Sequence, residues 1–284
     1  MVRFVGVATV AALAVGCSTM GGPGDDGRVT PSGPAQPPRT SSPEDNPVVS
    51  WRPRVGDAWQ WQLSGELDLS IDVPIYDVDW MTTSADTVAE LHDLGRHVIC
   101  YLSVGTWESY REDADAFPEE VRGKTLADYP DERWLDVRRL DVLAPLLSAR
   151  LDVCRDKGFD AVEPDNVDAY QNDSGFPLTS ADQLSFNRWV AKAAHDRGMS
   201  VGLKNDLGQV RQLVDDFDFA INEQCFEYDE CDVLIPFIEA GKAVLHVEYQ
   251  HPLASFCPGT TALGFSSMRK RFELGAYREA CPGS

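Results

Sequence analysis

The chain has 284 residues, 43% of them hydrophobic and 10% aromatic, which suffices for one large core. Against 25 basic residues stand 46 acidic ones, giving a formal charge of -21 and a pI near 4.5, with the acids spread along the chain. Such a field repels nucleic-acid phosphates, so no nucleic-acid partner is expected; it suits a cationic partner, a small solute or plain solubility outside the cell.

Residues 1–17, MVRFVGVATVAALAVGC, combine an early Arg3, an apolar run too short to span a bilayer as a mature helix, and small residues leading to Cys17. This is the pattern of an export signal. Its ending, LAVGC, resembles a lipobox in which Cys17 is lipid-modified and becomes the new N-terminus, with Ala14 where leucine is preferred. A cell-surface lipoprotein is expected, with plain secretion as the alternative and no membrane contact beyond that lipid. Residues 18–50 repeat Gly, Pro and Ser with almost no aliphatics, which predicts a disordered tether.

From Trp51 onward apolar runs alternate with helical periodicity, and the folded domain is expected over residues 51–284. Strands are predicted at 58–65 and 70–81, followed by a helix at 85–95 that ends at Gly95. RHVICYLSVG (96–105) is the third strand, and a long polar connection leads to a helix at 143–157. GFDAVEPDNVD (158–168) is the fourth strand, then come a helix at 180–197 closed by Gly198 and the strand MSVGLKND (199–206). A helix at 208–215, a strand at 217–226, a helix at 230–240 and strands at 242–250 and 261–270 complete the chain. Eight strands, nearly continuously apolar in their first halves and mostly followed by helices, predict an α/β fold, a (β/α)8 TIM barrel in a single catalytic domain. A doubly wound sheet is the alternative, weakened because no GxGxxG follows the first strand.

Setting Cys17 aside leaves Cys100, Cys154, Cys225, Cys231, Cys257 and Cys281. In an oxidising compartment this even set predicts disulfides, for which 15 connectivities exist. Cys225 with Cys231 would close a short loop and Cys257 with Cys281 would tie down the C-terminus, leaving Cys100 with Cys154. No CxxC or HxxxH spacing suggests zinc, and the loop spacing of an EF-hand is absent, so no metal is expected.

In such a barrel the active site lies at the C-terminal ends of the strands. Six of those ends are polar here: Asp77 and Asp79; Ser103 and Gly105; Glu163, Asp165, Asn166 and Asp168; Lys204, Asn205 and Asp206; Asn222 and Glu223; Glu248 and Tyr249. Strand alternation puts Ala161, Glu163 and Asp165 on one side, toward the barrel mouth, with Val162 and Pro164 toward the helices. Carboxylates facing each other across the mouth suit glycoside hydrolysis, one as acid/base and one as nucleophile or base; their separation decides retention or inversion. Plainer roles stand beside these: Asp165 capping backbone amides, Glu223 pairing with Lys204, Asp168 capping the next turn, and His246 as a satisfied buried histidine. Trp59, Trp61, Trp80, Trp107 and Tyr249 are candidates to stack on sugars, although core burial is the commoner fate of a barrel tryptophan.

Taken together, WQWQLSG, IYDVDW, CYLSVGTWESYR, GFDAVEPDNVDAY, LKND and NEQCFEY, in this order over about residues 55–270, resemble glycoside hydrolase family 114, the endo-α-1,4-polygalactosaminidases. The resemblance implies a (β/α)8 barrel that cleaves internal α-1,4 bonds of galactosamine-containing exopolysaccharide without a metal or organic cofactor. It also implies Asp165 in PDNVD as nucleophile, Glu223 in NEQC as general acid/base, and a retaining mechanism. Galactosamine units without their acetyl group are ammonium ions, which an acidic mouth would attract. Asp77, Asp79, Glu163 and Glu248 are expected to receive them, with Asn166, Asp168, Lys204, Asn205 and Tyr249 as further substrate contacts. A monomer is expected. The alternatives are a carbohydrate-binding surface lipoprotein without turnover and a barrel hydrolase acting on another α-linked glycan.

Overall fold

The computed structural model describes residues 48–283; the expected export signal with Cys17, and nearly all of the expected tether, lie outside the described residues. The elements in chain order are β1 (Trp59–Gln62), β2 (Ile75–Asp79), α1 (Ala85–Asp93), β3 (His97–Ser103), β4 (Thr106–Glu108), β5 (Arg122–Thr125), β6 (Glu132–Leu135), α2 (Leu140–Lys157), β7 (Ala161–Asp165), α3 (Ser180–His195), β8 (Ser200–Lys204), α4 (Val210–Leu213), β9 (Phe219–Glu223), α5 (Ile235–Glu239), β10 (Val244–Glu248), α6 (Leu253–Ala262), β11 (Ser266–Arg269) and β12 (Glu279–Ala280). Strands β1, β2, β3, β7, β8, β9, β10 and β11 are neighbours in that order and pair in parallel, forming a curled sheet consistent with a TIM-like barrel. They occupy the eight places expected from the sequence, each shorter than its apolar run.

The two ends of the sheet meet through side chains. Trp59 Nε1 donates to Ser266 O at 3.0 Å and Lys270 Nζ to Gln60 Oε1 at 3.2 Å. Strand β12 pairs antiparallel with β11, while Arg278 donates to Trp59 O (2.8 Å) and Gln60 to Ala276 O (3.0 Å), so the C-terminal segment spans the seam.

Side-chain alternation divides the core in two. Trp59, Trp61, Ile75, Ile99, Ala161, Phe219, Ile221, Leu245, Val247 and Met268 pack together inside the sheet. Val78, Cys100, Leu102, Val162 and Val201 face outward onto Leu143, Leu147 and Val190 of the helices. Gly202 is required by the inner layer: a Cβ there would lie 2.5 Å from the Phe219 ring. Helix boundaries follow local chemistry. Ser84 caps α1 by accepting from Thr87 N, Thr179 and Asp182 form a capping box on α3, and α2 ends at Gly158 with φ 90°.

The layout departs from the expected one in three places. The helices expected at 208–215 and 230–240 shrink to α4 and α5, single turns, and α6 occupies a stretch where no helix was expected. The long polar connection after β3 also holds a separate antiparallel sheet of order β4-β6-β5. Disulfides join Cys100 to Cys154, Cys225 to Cys231 and Cys257 to Cys281, the pairing expected from spacing, and they fit an exported protein. Among the described residues no helix is long and apolar enough to cross a membrane.

Candidate active site

The inner layer turns polar at the C-terminal ends of the strands. Above Ile75, Ala161 and Ile221 stand Asp77, Glu163 and Glu223 on the same sides of β2, β7 and β9, one turn of the alternation further along. Of these Glu223 reaches a cleft of about 700 Å³, whose lining also includes Trp61, Tyr101, Asp165, Lys204 and Tyr249.

Lys204, at the end of β8, organises this region. Its side chain is 2% exposed, and Nζ lies 2.9 Å from Glu163 Oε1, 3.1 Å from Asp165 Oδ1 and 3.2 Å from Glu223 Oε2. The ammonium also sits 4.7 Å from the Trp61 ring centroid. Burial disfavours its charge, but the surrounding carboxylates of Asp165, Glu163 and Glu223 outweigh burial and hold the ammonium well above the ordinary lysine range.

Below it, Asp77 and Glu163 have no exposed surface. Neither oxygen of Asp77, nor Glu163 Oε2, finds a conventional donor, yet burial followed by the charge of Glu163 pushes Asp77 well above the carboxylate range. Glu163 is raised as well, burial again being the main cause, with the paired Lys204 ammonium pulling the other way.

Asp165 and Glu223 are each fixed from several sides. Asp165 accepts from Tyr101 Oη (2.8 Å) and from the Asn166 backbone N–H (2.8 Å) besides Lys204. Asn166, at φ 62°, also donates from Nδ2 to Ser103 and Thr106. Glu223 accepts from Tyr249 Oη, while its backbone N–H donates to Asn205 Oδ1 at 2.9 Å. Burial first, then Glu223, pushes the Tyr249 hydroxyl far up, so it stays a donor. One nitrogen touches both acids, at 3.1 Å from Asp165 and 3.2 Å from Glu223, so the two carboxyl groups face each other across Lys204.

The separate sheet supplies residues that the sequence reading passed over. Arg111 pairs with Asp79 (2.7 Å) and Glu108 (2.8 Å), and the segment Leu126 to Glu132 forms one wall of the cleft. Glu132 is pushed up to about 7 by burial and by Glu108. Asp168, also lining the cleft, is pushed up to about 6 by burial and by Asp165.

Of the expected substrate contacts, Asp79, Asn166, Asp168, Lys204, Asn205 and Tyr249 line the cleft. Asp77, Glu163 and Glu248 do not, and all three have no exposed surface. Direct receipt of an ammonium group by these three is therefore corrected: Asp77 and Glu163 support Lys204 from below. Glu248 points away from the mouth, accepting from His246 Nε2 and the Phe226 N–H, both at 2.9 Å. His246 is the satisfied buried histidine expected, bonded also to Ser267 at 3.0 Å. Of the tryptophans, Trp61 borders the cleft while Trp59 lies in the core. Two groupings could hold a metal among the described residues, Cys225 with Cys231 and His246, and Glu227 with Glu248 and His251; both lie outside the cleft lining.

No curated protein matches the chain at a significant level. Among solved structures, Ega3 of Aspergillus fumigatus in complex with galactosamine is 37% identical, with a TM-score of 0.79 over 84% of this chain and 100% of that one. The glycoside hydrolase domain of PelA from Pseudomonas aeruginosa shares the fold at 12% identity, with a TM-score of 0.63 over 78% of this chain and 98% of that domain. The sequence profile of glycoside-hydrolase family GH114 spans residues 40–284, hence every strand and both cleft acids. With a close structural likeness over the same residues, the chain belongs to glycoside-hydrolase family GH114 and is a glycoside hydrolase.

Proposed function

We propose that this chain is an endo-acting hydrolase, built on a (β/α)8 barrel, that cleaves internal α-1,4 bonds of partly deacetylated, galactosamine-containing polysaccharide with retention of configuration. The observation that carries this reading is the charge of the cleft. Asp128, Asp131, Glu132, Asp168 and Glu273 line it beside Asp165 and Glu223, whereas the two basic residues of the lining, Arg111 and Lys204, are already held by acids. A neutral glycan gains nothing from such a field; a polymer of ammonium sugars does. The likeness to Ega3, solved with galactosamine, supports the same substrate class.

In this mechanism Asp165 attacks the anomeric carbon while Glu223 protonates the departing glycosidic oxygen, leaving a glycosyl ester on Asp165. Glu223, now a carboxylate, takes a proton from water as that water attacks the ester, which restores both acids. Lys204 holds the two carboxylates in place, and Tyr101 and Tyr249 fix their rotamers. Sharing one ammonium keeps the two carboxyl groups close, which suits direct attack by Asp165 better than a water held between the acids. Export by the signal of residues 1–17, a lipid on Cys17 and a tether over 18–50 would hold the enzyme, a monomer, at the cell surface where such polymers lie.

The test is incubation of the purified chain with partly deacetylated α-1,4-galactosaminogalactan, following oligosaccharides by mass beside Asp165→Asn and Glu223→Gln. Short oligomers are expected from the unsubstituted protein alone, starting with the α-anomer. Equal cleavage of the fully acetylated polymer would overturn the charge argument, and full activity in either variant would overturn its role.

A further inference from the structure

Behind Glu223, three groups with metal-ligand chemistry converge that the mechanism above does not use. Glu227 lies on the loop after β9, Glu248 ends β10, and His251 lies on the loop that follows it. One ligand atom of each is within 4.8 Å of the others. Glu248 is fully buried, and its Oε1 already accepts from His246 Nε2 and the Phe226 N–H. Its Oε2 is buried with no hydrogen-bond partner. A carboxylate oxygen in that position is unfavourable unless something positive meets it. His251 is half-buried, set edge-on to Phe226 at 5.2 Å between ring centroids. Glu227, on the rim of the group, accepts from Gln224 Nε2 at 2.9 Å.

We propose that Glu227, Glu248 and His251 form a binding site for one divalent first-row transition cation of the zinc class. Two carboxylates with an imidazole nitrogen match that class, whereas calcium and magnesium take oxygen ligands. Bonds of about 2.0–2.2 Å draw ligand atoms to within about 4 Å of each other, and Glu227, the least buried of the three and on a loop, can make the small adjustment. Glu248 is hydrogen-bonded from behind, as ligating carboxylates are. The neighbouring grouping of Cys225, Cys231 and His246 does not compete, because its sulfurs are joined in a disulfide and both ring nitrogens of His246 are hydrogen-bonded. The site has a mechanical consequence. Glu248 immediately precedes Tyr249, which donates to Glu223, and the Phe226 N–H bonded to Glu248 follows Glu223 by three residues. A cation there fastens together the two loops that carry Glu223 and its tyrosine, without entering bond cleavage.

The test is calorimetric titration of the metal-stripped chain with Zn²⁺ and a count of bound metal by mass spectrometry, beside His251→Ala and Glu227→Gln. Melting of the metal-free variants together with the unsubstituted protein establishes that they fold. The expected result is one equivalent of Zn²⁺ and a raised melting temperature on binding. Each variant is expected to bind at least tenfold more weakly, and Ca²⁺ at the same concentration to give no shift. Absence of stoichiometric binding, binding that survives both substitutions, or Ca²⁺ binding as tight as Zn²⁺ overturns the proposal.

Discussion

Replacing Lys204 with methionine tests whether one buried cation holds the acids of the cleft together. The substitution keeps a stem of similar length over Trp61 but removes a charge lying 2.9, 3.1 and 3.2 Å from Glu163, Asp165 and Glu223. Removing one partner of a buried ion pair costs about 3–5 kcal/mol. At about 2–4 °C per kcal/mol for a domain of this size, the melting temperature at pH 7 falls by roughly 6–20 °C. The deficit depends on pH. Asp77 and Glu163 already titrate above the ordinary carboxylate range because of burial, and losing the ammonium moves them further up. A group raised in the folded state contributes stability that is complete below its unfolded pKa and is lost as pH rises through its folded one. The variant therefore closes part of its gap to the unsubstituted protein as pH falls from 7 toward 4. Thermal melts followed by tryptophan fluorescence across that range measure both effects. A fall of less than about 3 °C at pH 7, or a deficit that does not change with pH, refutes the picture of Lys204 as the hub.

Tyr249→Phe keeps the ring stacked 4.2 Å from Phe272 but removes the hydroxyl that Glu223 accepts. With about 1.5–3 kcal/mol for a hydrogen bond to a charged group, kcat/KM on the galactosamine polymer falls about 10–150-fold, mostly through kcat, as initial rates will show. Asp206 is pushed up to about 8 by burial and by Asp168, so its contribution is complete below its ordinary value of 3.8 and is lost as pH rises through about 8. Asp206→Asn lacks that titration and also suits φ 43°, so melting curves should shift in favour of the variant between those two pH values. Replacing Cys257 and Cys281 together by alanine should cost about 3 kcal/mol in urea unfolding, the closed loop spanning a separation of 24 residues. An unchanged midpoint would mean that the C-terminal segment holds without its covalent tie.

Strands buried on both faces carry long apolar runs, and for that reason all eight are legible in the sequence. Alternation reads correctly on β7, where Ala161 packs inside and Val162 outside. Carried to β10, the same rule separates Glu248 from Tyr249: Val247 packs inside, so Glu248 has to turn outward and only Tyr249 can reach the mouth. Strands β4, β5 and β6 are three or four residues long and interleaved with Glu108, Arg122, Lys124, Glu132 and Arg133, which leaves no periodicity to read. Arg111, Tyr129 and Glu132 enter the cleft with them and go unread for the same reason. Helix α6 contains Pro258 and Gly259, the composition of a loop. The meeting of Lys204 with three acids depends on the stagger of β7, β8 and β9, a distance across the sheet that spacing along the chain does not encode.

The seam between β1 and β11 makes the two ends of the domain neighbours. Trp59 bonds to Ser266 across 207 residues and to Arg278 across 219, so β1 waits for its last partners until almost the whole domain has been synthesised. Contacts so distant in sequence are slow to form, and an unpaired strand edge meanwhile is a template for pairing with another chain. The few residues around Ala276 to Ala280 thus act as a latch whose arrival ends the period of exposure. A chain that lost them would keep its cleft acids and its helices and still be a chain inclined to aggregate, with the fault lying at the opposite end of the sequence from the strand left open.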